Sequence, residues 1–377
     1  MTTEQIYGLV NSVVDQAIGD SGIVAVDTSS LVSLGDVVLS SSTNTEAFLN
    51  TLAQRIGKTI IRYRMYRNKL SDLVVDDFTF GAIVQKIRVQ MPEAEADQSY
   101  GLTNGASVDH YQIAKPTVDQ KIFVTRTPYQ YKLTIQQVHL KEAFTGEDAM
   151  GRFISAVFGE LRNAIEKGLE ELGRTCIATA IVVVNGSSNQ TINLVTEYNS
   201  LGHSLTAGPD VMEDKDFMRW AIARINQVYD YIQDMSVLYN DTSIPTFTPE
   251  EDIRFKCHSD FVRKAQMVLQ ADTFNKALVD LPSYSRINYW QDSKAGDKYG
   301  VKQDRPDPLN PGQTATVTVN NVIGIMYDKD ALGTYKKDEI AATTPLNAAG
   351  LYYNTYYHEK QLWFYDPSEN LVVFTLN

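Results

Sequence analysis

Cysteine is scarce in this chain of 377 residues, which contains only Cys176 and Cys257. The two lie far apart in the sequence and no CxxC pair occurs, so the sequence indicates neither a disulfide framework nor a zinc knuckle. We expect both residues to be reduced, buried thiols of a protein that folds in a reducing cytosol.

A long apolar run is also missing. No stretch reaches the roughly 18 consecutive apolar residues that a helix needs to span a bilayer. The first residues do not have the basic-then-apolar order of a signal peptide. The sequence therefore predicts no membrane partner.

Basic residues are outnumbered, because 34 Lys and Arg stand against 46 Asp and Glu, which gives a net charge of −12. A protein that grips nucleic acid normally has a basic face. The densest basic cluster is Arg62, Arg64, Arg67 and Lys69. The alternation of the first two on a strand favours a solvated or subunit-facing edge over a nucleic-acid groove.

Sequence motifs for catalysis and for cofactors are absent as well. Gly57-Lys58-Thr59 imitates the end of a phosphate-binding loop, but Leu52 stands where that loop needs its first glycine. His358-Glu359 begins like a zinc-protease motif, but position 362 is Leu. No GxSxG or GxGxxG motif occurs.

The remaining candidate ligands are dispersed along the chain. The histidines have no ligand spacing and are His110, His139, His203, His258 and His358. Two acidic groups could bind a divalent cation, Glu93/Glu95/Asp97 and Glu250/Glu251/Asp252, but solvated loop acids are far more common. The sequence thus predicts no catalytic residue, no cofactor and no metal site, and it favours a protein that is not an enzyme.

Tyrosine, in contrast, is abundant, with 21 residues against 14 Phe and 3 Trp. Its ring is large and apolar while its hydroxyl tolerates water, so it is enriched at surfaces that become buried on association. Two interpretations stay open at this point: such surfaces, or ordinary tyrosines of β-sheets.

Residues 1–56 are predicted to form an N-terminal arm with short helices. Apolar residues recur at helical spacing over residues 3–18. Residues 23–45 are rich in Ser, Thr, Val and Gly and predict an extended arm. A short helix is expected from about Thr45, with Gly57 as its stop.

Residues 57–144 are predicted to form peripheral strands and a long β-hairpin. The outgoing strand is residues 83–89, and the segment from Tyr129 to Ile135 alternates on the way back with period two. The Pro, Gly, Asn and acidic residues between them are typical of a solvated tip. Because an isolated two-stranded ribbon is marginal in water, we expect this hairpin, residues 80–140, to need a partner outside its own domain.

Residues 145–185 predict one long helix. Thr145 with Asp148 three residues later is similar to a capping box. The apolar face then continues to about Ile181 and breaks at Asn185-Gly186.

Glycines inside this helix indicate how it must be stabilised. Gly151, Gly159, Gly168 and Gly173 each weaken a helix interior. A coiled coil is disfavoured because its seam would meet Gly168 and then Glu171. We therefore expect the helix to pack on a sheet, which the glycines allow it to approach closely or to bend against.

Residues 186–320 predict a mixed α/β lobe. The predicted elements are, in order, a helix over Asp216–Val237, a strand over Phe255–His258, a capped helix over Ser259–Asp272, a Pro-rich loop over Lys302–Thr314 and a strand over Ala315–Val319.

Residues 321–377 predict C-terminal strands. These are a strand over Val322–Tyr327, a polar connection from Lys336 to Thr344, an aromatic strand from Gly350 through Tyr365, and a last strand over Leu371–Leu376.

The aromatic strand carries rings on both faces. Because side chains alternate along a strand, Tyr352 and Tyr356 are expected on one face, and Tyr353, Tyr357 and Trp363 on the other. Such a strand should be covered on both sides, by its own domain and by a neighbouring molecule.

Two runs of this sequence resemble the major capsid proteins of small, short-tailed phi-twenty-nine-like phages. One is Gly350-Leu-Tyr-Tyr-Asn-Thr-Tyr-Tyr-His358, and the other extends from Asn44 to Arg62. The resemblance covers about residues 44–95 and 322–377. It implies the Hong Kong ninety-seven capsid fold, an α+β fold with an N-terminal arm, an extended hairpin loop that lies across the neighbouring subunit, a long spine helix with a peripheral sheet, and a mixed α/β axial lobe.

The resemblance implies a major capsid protein that self-assembles into the icosahedral or prolate head shell around the double-stranded DNA genome of a short-tailed phage. The implied partners are other copies of itself in pentamers and hexamers, scaffolding protein, portal, and head fibre or decoration proteins. Packaged DNA would lie near the shell without specific binding, and an acidic lining would limit its sticking. The implied location is the virion capsid, assembled in the cytoplasm of a bacterial host.

Departures from the family pattern and alternatives also follow from the sequence. Some family members append an immunoglobulin-like domain, whereas this sequence ends with its last predicted strand. Because it begins with Met1, we expect no N-terminal maturation cleavage, and no motif for a Lys–Asn cross-link is assigned. The alternatives are an encapsulin-like nanocompartment shell, another virion structural protein, and a soluble α/β enzyme; particle size by negative-stain microscopy separates a shell from an enzyme.

Overall fold

A computed structural model describes the chain at residues 3–19, 22–55, 66–75, 84–92, 94, 97–107, 111, 113, 115–123, 126–242, 244–272, 281–291, 297–306 and 314–377. Several sequence predictions concern residues outside these ranges. They are the helix stop at Gly57, the Gly57-Lys58-Thr59 run, the basic residues Arg62 and Arg64, the acidic residues Glu93 and Glu95, and His110.

Helices are distributed along the whole described chain. They are α1 (Thr3–Ile18), α2 (Thr28–Leu39), α3 (Ser42–Arg55), α4 (Gln137–Ala143), α5 (Glu147–Phe153), α6 (Gly159–Val184), α7 (Leu194–Ser200), α8 (Lys215–Tyr231) and α9 (Ser259–Asp272). Short 3₁₀ turns lie at Ser71–Leu73, Gln98–Gly101, Pro209–Glu213 and Glu250–Asp252.

The strands form two larger sheets and two hairpins. They are β1 (Val74–Val75), β2 (Val84–Val89), β3 (Val118–Phe123), β4 (Arg126–Gln136), β5 (Thr191–Asn193), β6 (Ile253–His258), β7 (Ser285–Ile287), β8 (Val301–Pro306), β9 (Thr314–Val319), β10 (Val322–Asp328), β11 (Leu332–Thr343), β12 (Tyr352–Tyr365) and β13 (Leu371–Thr375). One sheet has the order β1-β11-β12-β4 and the other β5-β13-β10-β6-β7, while β2 pairs with β3 and β8 with β9.

The predicted N-terminal helix is confirmed as α1. Its apolar stripe, which includes Val10, Val13 and Val14, is buried in a core that also contains α2, α3 and the first part of the long helix. Gly19 ends the helix with a φ of +90°, and its N–H donates to the carbonyl of Asp15. Such a left-handed residue is a common helix stop, because glycine adopts it without steric cost.

The extended arm predicted over residues 23–45 is wrong, since α2 occupies its centre and α3 begins at Ser42. Asp27 caps α2: its carboxylate accepts from the Ser30 N–H at 2.7 Å, and the Ser30 hydroxyl accepts from the Asp27 N–H at 3.0 Å. This reciprocal pair starts a helix in the way a capping box does. Leu31 and Leu34 then supply a buried stripe that the Ser- and Val-rich composition obscured.

The long helix is confirmed, with two differences from its prediction. Its parts α5 and α6 are joined by one π turn, Ile154–Phe158, so the helical path runs from Glu147 to Val184. The predicted capping box is wrong: Gly146 occupies the N-cap, and the Thr145 hydroxyl donates to the carbonyl of Glu142 instead. After Val184 the chain turns at Gly186, where φ is +92°.

Close approach at the helix glycines is confirmed at two positions. A Cβ on Gly168 would collide with the hydroxyl of Tyr131, and one on Gly173 would lie 3.2 Å from Leu70. The first half of α6 packs on the four-stranded sheet, where Leu161 and Ile165 share a buried cluster with Tyr353.

The four-stranded sheet corrects two predictions. The segment from Lys336 to Thr344, predicted as a polar connection, forms most of β11. This strand pairs antiparallel with β12, with Leu332 opposite Tyr365 at one end and Thr343 opposite Thr355 at the other. A polar segment can form a strand here because the backbone hydrogen bonds to β12 do not depend on side-chain type. The return strand of the predicted hairpin is β4, and it pairs with β12 rather than with the outgoing strand. The hairpin itself is therefore the shorter β2–β3 pair.

The five-stranded sheet is covered on both faces. Ile323, Met326 and Phe374 lie in a buried cluster with α8 and α9. Ile325 and Val373 lie in another, which contains the second half of α6 from Cys176 onward. The long helix therefore contributes to the cores under both sheets.

The elements predicted between residues 186 and 320 are mostly confirmed. The strand β6, the helix α9 and the strand β9 match their predictions within two residues. The helix α8 ends at Tyr231, short of the predicted Val237. The loop predicted over Lys302–Thr314 is wrong at its start, because residues 301–306 form β8 and pair with β9.

Candidate interaction surfaces

The β2–β3 hairpin has two chemically different faces. In the antiparallel register, Lys86 lies opposite Lys121 and Val89 opposite Val118. Exposure alternates from Gln85 to Val89 and from Val118 to Phe123, as expected where one face of a ribbon is covered and the other is not. We call the face with Gln85, Ile87, Val89, Val118, Gln120 and Ile122 the outer face.

The outer face is apolar and open. Its four aliphatic side chains are all more than half exposed: Ile87 63%, Val89 54%, Val118 56% and Ile122 52%. The other side chains of this face are the neutral Gln85 and Gln120. A contiguous patch of this kind marks a protein–protein contact more often than an ordinary solvent-facing surface.

The inner face is cationic and lies against the turn between β12 and β13. The Lys86 and Lys121 ammonium groups each lie 3.1 Å from an oxygen of the Asp366 carboxylate. Arg88 lies 2.8 Å from Glu369 and donates to the carbonyl of Ser368 at 3.0 Å. The hairpin is thus attached to its own chain through charge, on the face opposite the apolar one.

The electrostatics at this turn favour the ionised carboxylate. Burial of Asp366 disfavours its charge, but hydrogen bonds from Ser368 and the charges of Lys86 and Lys121 outweigh that effect and lower the pKa of Asp366. An apolar contact accompanies the ion pairs: Phe123 packs on the cluster of Tyr335, Leu362 and Phe364, and the rings of Phe123 and Phe364 lie 5.3 Å apart.

The tip of the hairpin adds further exposed apolar side chains. They are Tyr100, Leu102, Tyr111 and Ile113, of which Tyr100 is 93% exposed. Asp97, from the acidic group predicted as solvated, is exposed and accepts from the Ser99 N–H and hydroxyl. The predicted polar tip is therefore only half right, because its turn residues carry rings and aliphatic side chains between them.

A second apolar surface lies on the loop between α8 and β6, which we call the α8–β6 loop (residues 232–242 and 244–249). Exposed apolar side chains on it are Met235, Val237, Leu238 and Phe247. Ser236 and Thr246 exchange backbone hydrogen bonds across the loop, and the Asn240 amide donates to the Thr246 hydroxyl at 2.8 Å. The loop therefore holds these side chains on a structured backbone.

In the part of the chain that the structure describes, the groups capable of catalysis do not converge. Cys176 and Cys257 are free and buried, as predicted, and burial raises the pKa of the Cys176 thiol to about 12. His258 is buried with its ring between the Asn288 carbonyl and the Asp260 N–H, while His358 is exposed on β12. Within the described ranges, no three His, Cys, Asp or Glu side chains are placed to hold a metal ion. There, too, no helix is both long and apolar enough to cross a membrane.

A buried ion pair inside α6 was missed by sequence reasoning. Glu170 and Arg174 lie 2.6 Å apart beside a cleft of about 740 Å³, and Arg174 also stacks 4.0 Å from the Tyr289 ring. Burial opposes ionisation of Glu170, but hydrogen bonds from Tyr66 and Arg174 lower its pKa. Their four-residue spacing within an apolar helix was the available signal. This pair ties residues around Tyr66 and Tyr289 to the helix.

Two residues of the predicted basic cluster and one of the second acidic group lie at the surface. Arg67 and Lys69 are exposed. Asp252 ends the 3₁₀ turn of its acidic group and pairs with Lys329 at 2.7 Å, which makes it part of a surface ion pair.

Comparisons with known proteins agree with this architecture. The sequence matches the family model of the Phi29-like phage major capsid protein over residues 10–375. None of the curated proteins matches it. Among solved structures, a chain in the capsid structure of Staphylococcus phage Andhra is 11% identical with a TM-score of 0.56, covering 85% of this chain and 87% of that chain. A chain in the structure of head fiber and inner core protein gp22 of native bacteriophage P68 has the same identity, TM-score and coverage. At this identity the two similarities show a shared fold.

Proposed function

Because this chain belongs to the Phi29-like phage major capsid protein family and is a shell protein of a phage head, we propose that the outer face of its β2–β3 hairpin carries a contact between neighbouring copies in that shell. The chain has the mixed helix-and-sheet, Hong Kong ninety-seven-like capsid fold that the resemblance implied. The family match favours a head shell over the alternatives of a nanocompartment shell and a soluble enzyme.

One observation carries this proposal: the aliphatic side chains of the outer face are open while the opposite face is attached to the body. Burying apolar surface stabilises association by about 25 cal/mol for each Å² removed from water. A two-stranded ribbon also gains from an additional covering layer. A partner that covers Ile87, Val89, Val118 and Ile122 would supply both.

A second copy of the same chain fits this face best. The face is neutral, so the contact does not depend on a partner of opposite charge. In a shell, each copy presents its hairpin to a different surface of the next copy, and such head-to-tail contacts close into rings around rotation axes. Pentamers and hexamers are the rings that we propose.

The test replaces outer-face aliphatic residues with charged ones. We expect Ile87→Asp with Ile122→Asp to give folded, soluble subunits that form no shells, because two carboxylates would have to be buried without partners. Thermal unfolding measures the fold, and negative-stain microscopy measures particles. The control, Ile87→Val with Ile122→Val, keeps the face apolar and should assemble. Normal shells from the Asp variant would exclude this face as the contact.

The finer statements about partners and location belong to the same proposal. We propose assembly in the cytoplasm of a bacterial host, with scaffolding protein, portal and head fibre or decoration proteins as partners, and DNA held inside without specific binding. The acidic net charge supports the last point. We also propose a structural rather than an enzymatic role, which the dispersed histidines and buried thiols support.

The five segments named from the sequence are our proposed domain division. They are the arm (1–56), the peripheral strands with the hairpin (57–144), the spine helix (145–185), the axial lobe (186–320) and the C-terminal strands (321–377). The long helix supports its own segment by packing under both sheets.

A further inference from the structure

The turn between β12 and β13, Asp366–Asn370, touches three parts of the chain that are distant in sequence. Its first residues receive the hairpin cations, as described above. Its backbone meets the α8–β6 loop: the Asp241 N–H donates to the Pro367 carbonyl at 2.9 Å, and the Leu371 N–H donates to the Tyr239 carbonyl at 2.8 Å. The Asp328 N–H donates to the Asn370 carbonyl at 2.9 Å.

Hydrogen bonds within the turn hold the Asp366 carboxylate in position to pair with cations. Asp366 is 1% exposed, and its Oδ1 accepts from the Ser368 N–H at 3.0 Å and from the Ser368 hydroxyl at 2.6 Å. These bonds orient the carboxylate before any cation arrives. The hairpin then supplies Lys86 and Lys121, one to each carboxylate oxygen.

The far end of the turn is joined to the α8–β6 loop by a buried polar network. The Asn370 amide nitrogen donates to the Thr248 hydroxyl at 3.2 Å, and its oxygen accepts from the Thr246 hydroxyl at 3.0 Å. Asn370 is itself buried. A fully satisfied buried network allows few alternative arrangements, so the turn and this loop are held in one position relative to each other.

The contacts of the turn with the β2–β3 hairpin are easier to break than its contacts with the α8–β6 loop. The cations on the hairpin keep about a quarter of their side chains exposed, so water can reach these ion pairs from the hairpin side. Among the described residues, an apolar contact on this side of the hairpin joins Phe123 to the cluster of Tyr335, Leu362 and Phe364. Such pairs set orientation more than they set affinity.

We propose that the Asp366–Asn370 turn is an electrostatic latch that sets the direction of the β2–β3 hairpin and couples it to the α8–β6 loop. With the latch closed, the inner face is attached to the body and the apolar outer face points away from it. Opening the latch frees the hairpin to turn and loosens the apolar loop that carries Met235 and Phe247. One set of ion pairs thereby controls both the outer face of the hairpin and the exposed apolar side chains of the α8–β6 loop.

The test measures hydrogen exchange in unassembled subunits, so its outcome does not depend on shell formation. In the variant K86Q/R88Q/K121Q we expect amides of residues 84–89, 118–123, 236–242 and 244–248 to exchange about tenfold faster, with β10 amides unchanged. The control K167Q/R219Q/K264Q removes the same charge from exposed ion pairs elsewhere and should leave all these segments unchanged.

Three other results would overturn the proposal or part of it. Unchanged exchange in the hairpin would exclude the latch, and faster exchange in the hairpin alone would exclude the coupling. If β10 also exchanges faster, a charge swap decides: R88E and E369K should each loosen the hairpin, and the double variant should restore it. Failure of the double variant to restore protection would reject the latch.

Discussion

Tyr353 and Tyr357 show how much one strand face contributes to the fold. Both are buried against the long helix, in the cluster that contains Leu161 and Ile165. Truncation of a buried aromatic side chain costs about 3–5 kcal/mol. A domain is stable by only about 5–15 kcal/mol, so losing two such side chains removes a large part of its free energy of unfolding. We therefore expect Tyr353→Ala with Tyr357→Ala to give insoluble or unassembled protein. Solubility and thermal unfolding measure the effect.

The matched controls come from the same strand. Tyr352→Ala with Tyr356→Ala removes two rings from the opposite, half-buried face and should cost far less. Tyr353→Phe with Tyr357→Phe keeps both rings and should preserve stability, since the Tyr353 hydroxyl finds no hydrogen-bond partner in the part of the chain described. Glu359 lies on the same strand and is polar, but it is not a suitable control position because it is 1% exposed. Unaltered stability in the double Ala variant would make the strand peripheral.

Asp366 gives the hairpin a predictable response to acid. Its folded-state pKa is lowered, so its stabilising contribution is complete above the ordinary value of 3.8 and is lost as the pH falls through the lowered value. We expect hydrogen exchange in residues 84–89 and 118–123, corrected for intrinsic rates, to stay constant from about pH 8 to 5 and to rise below about pH 4. In Asp366→Asn the exchange should already be fast at neutral pH. A rise centred near pH 6 in the unmodified chain would point to a histidine instead.

At the scale of elements, two helix glycines with different surroundings test how α2 is packed. A Cβ on Gly35 would lie 2.7 Å from the Phe144 side chain, whereas one on Gly8 in α1 would meet nothing within 4 Å. We expect Gly35→Ala to destabilise the chain by about 1–3 kcal/mol through overpacking. Gly8→Ala should stabilise it by up to about 1 kcal/mol, because alanine favours the helix. Chemical denaturation of both variants checks the contrast, and equal effects would contradict this packing of α2 on Phe144.

The hairpin tip offers a second test at this scale. Deletion of residues 93–115 removes the exposed Tyr100, Leu102, Tyr111 and Ile113 and leaves the paired strands β2 and β3 intact. We expect the subunits to stay folded and soluble, because the removed side chains contribute to no core in the described part of the chain. We expect them to form no shells, because the exposed apolar side chains of the tip are gone. Sedimentation and negative-stain microscopy measure assembly. Normal particles from the deletion would show that the tip is not needed for contacts between copies.

The elements also show which features the sequence could predict. Helical periodicity predicted α1 and the long helix, an unbroken apolar run predicted β10, and a run of aromatic residues predicted β12. The sequence prediction was wrong for α2, because the capping pair of Asp27 and Ser30 starts a helix in a segment whose composition favours an extended chain. It was also wrong for β11, because pairing with β12 makes a strand of a polar segment. Strand partners were beyond the sequence: β4 alternates clearly, but nothing local indicates that it pairs with β12, more than 200 positions later.

For the whole molecule, the net charge of −12 predicts that unassembled subunits have little affinity for duplex DNA. Binding of duplex DNA needs cationic contacts that release counterions. The cations Lys86, Arg88 and Lys121 are engaged by carboxylates of the chain itself. We expect negligible binding in a mobility-shift assay at physiological salt. Tight binding that weakens steeply with added salt would contradict this, and a basic DNA-binding protein serves as the positive control.

The whole-molecule prediction of a shell protein came from two short runs and from the order of elements, and the family match confirms it. The interaction surfaces were harder to predict. The sequence indicated that the hairpin needs an outside partner, but not that its two faces differ, since the inner face is defined by Asp366 and Glu369 from the far end of the chain. Long-range ion pairs leave no local pattern, so only the structure brings them together.

The short outer strands of the five-stranded sheet have a consequence for how the protein behaves at high concentration. Its edge strands, β5 and β7, are three residues each, while the longer β13, β10 and β6 lie inside. An edge of three residues offers few free backbone groups to a passing chain, which makes it a poor template for amyloid-like growth. A shell protein accumulates in many copies before it is used. Even at high protein concentration, the edges of this sheet are therefore poor starting points for fibre growth, and association proceeds through the surfaces that form the shell.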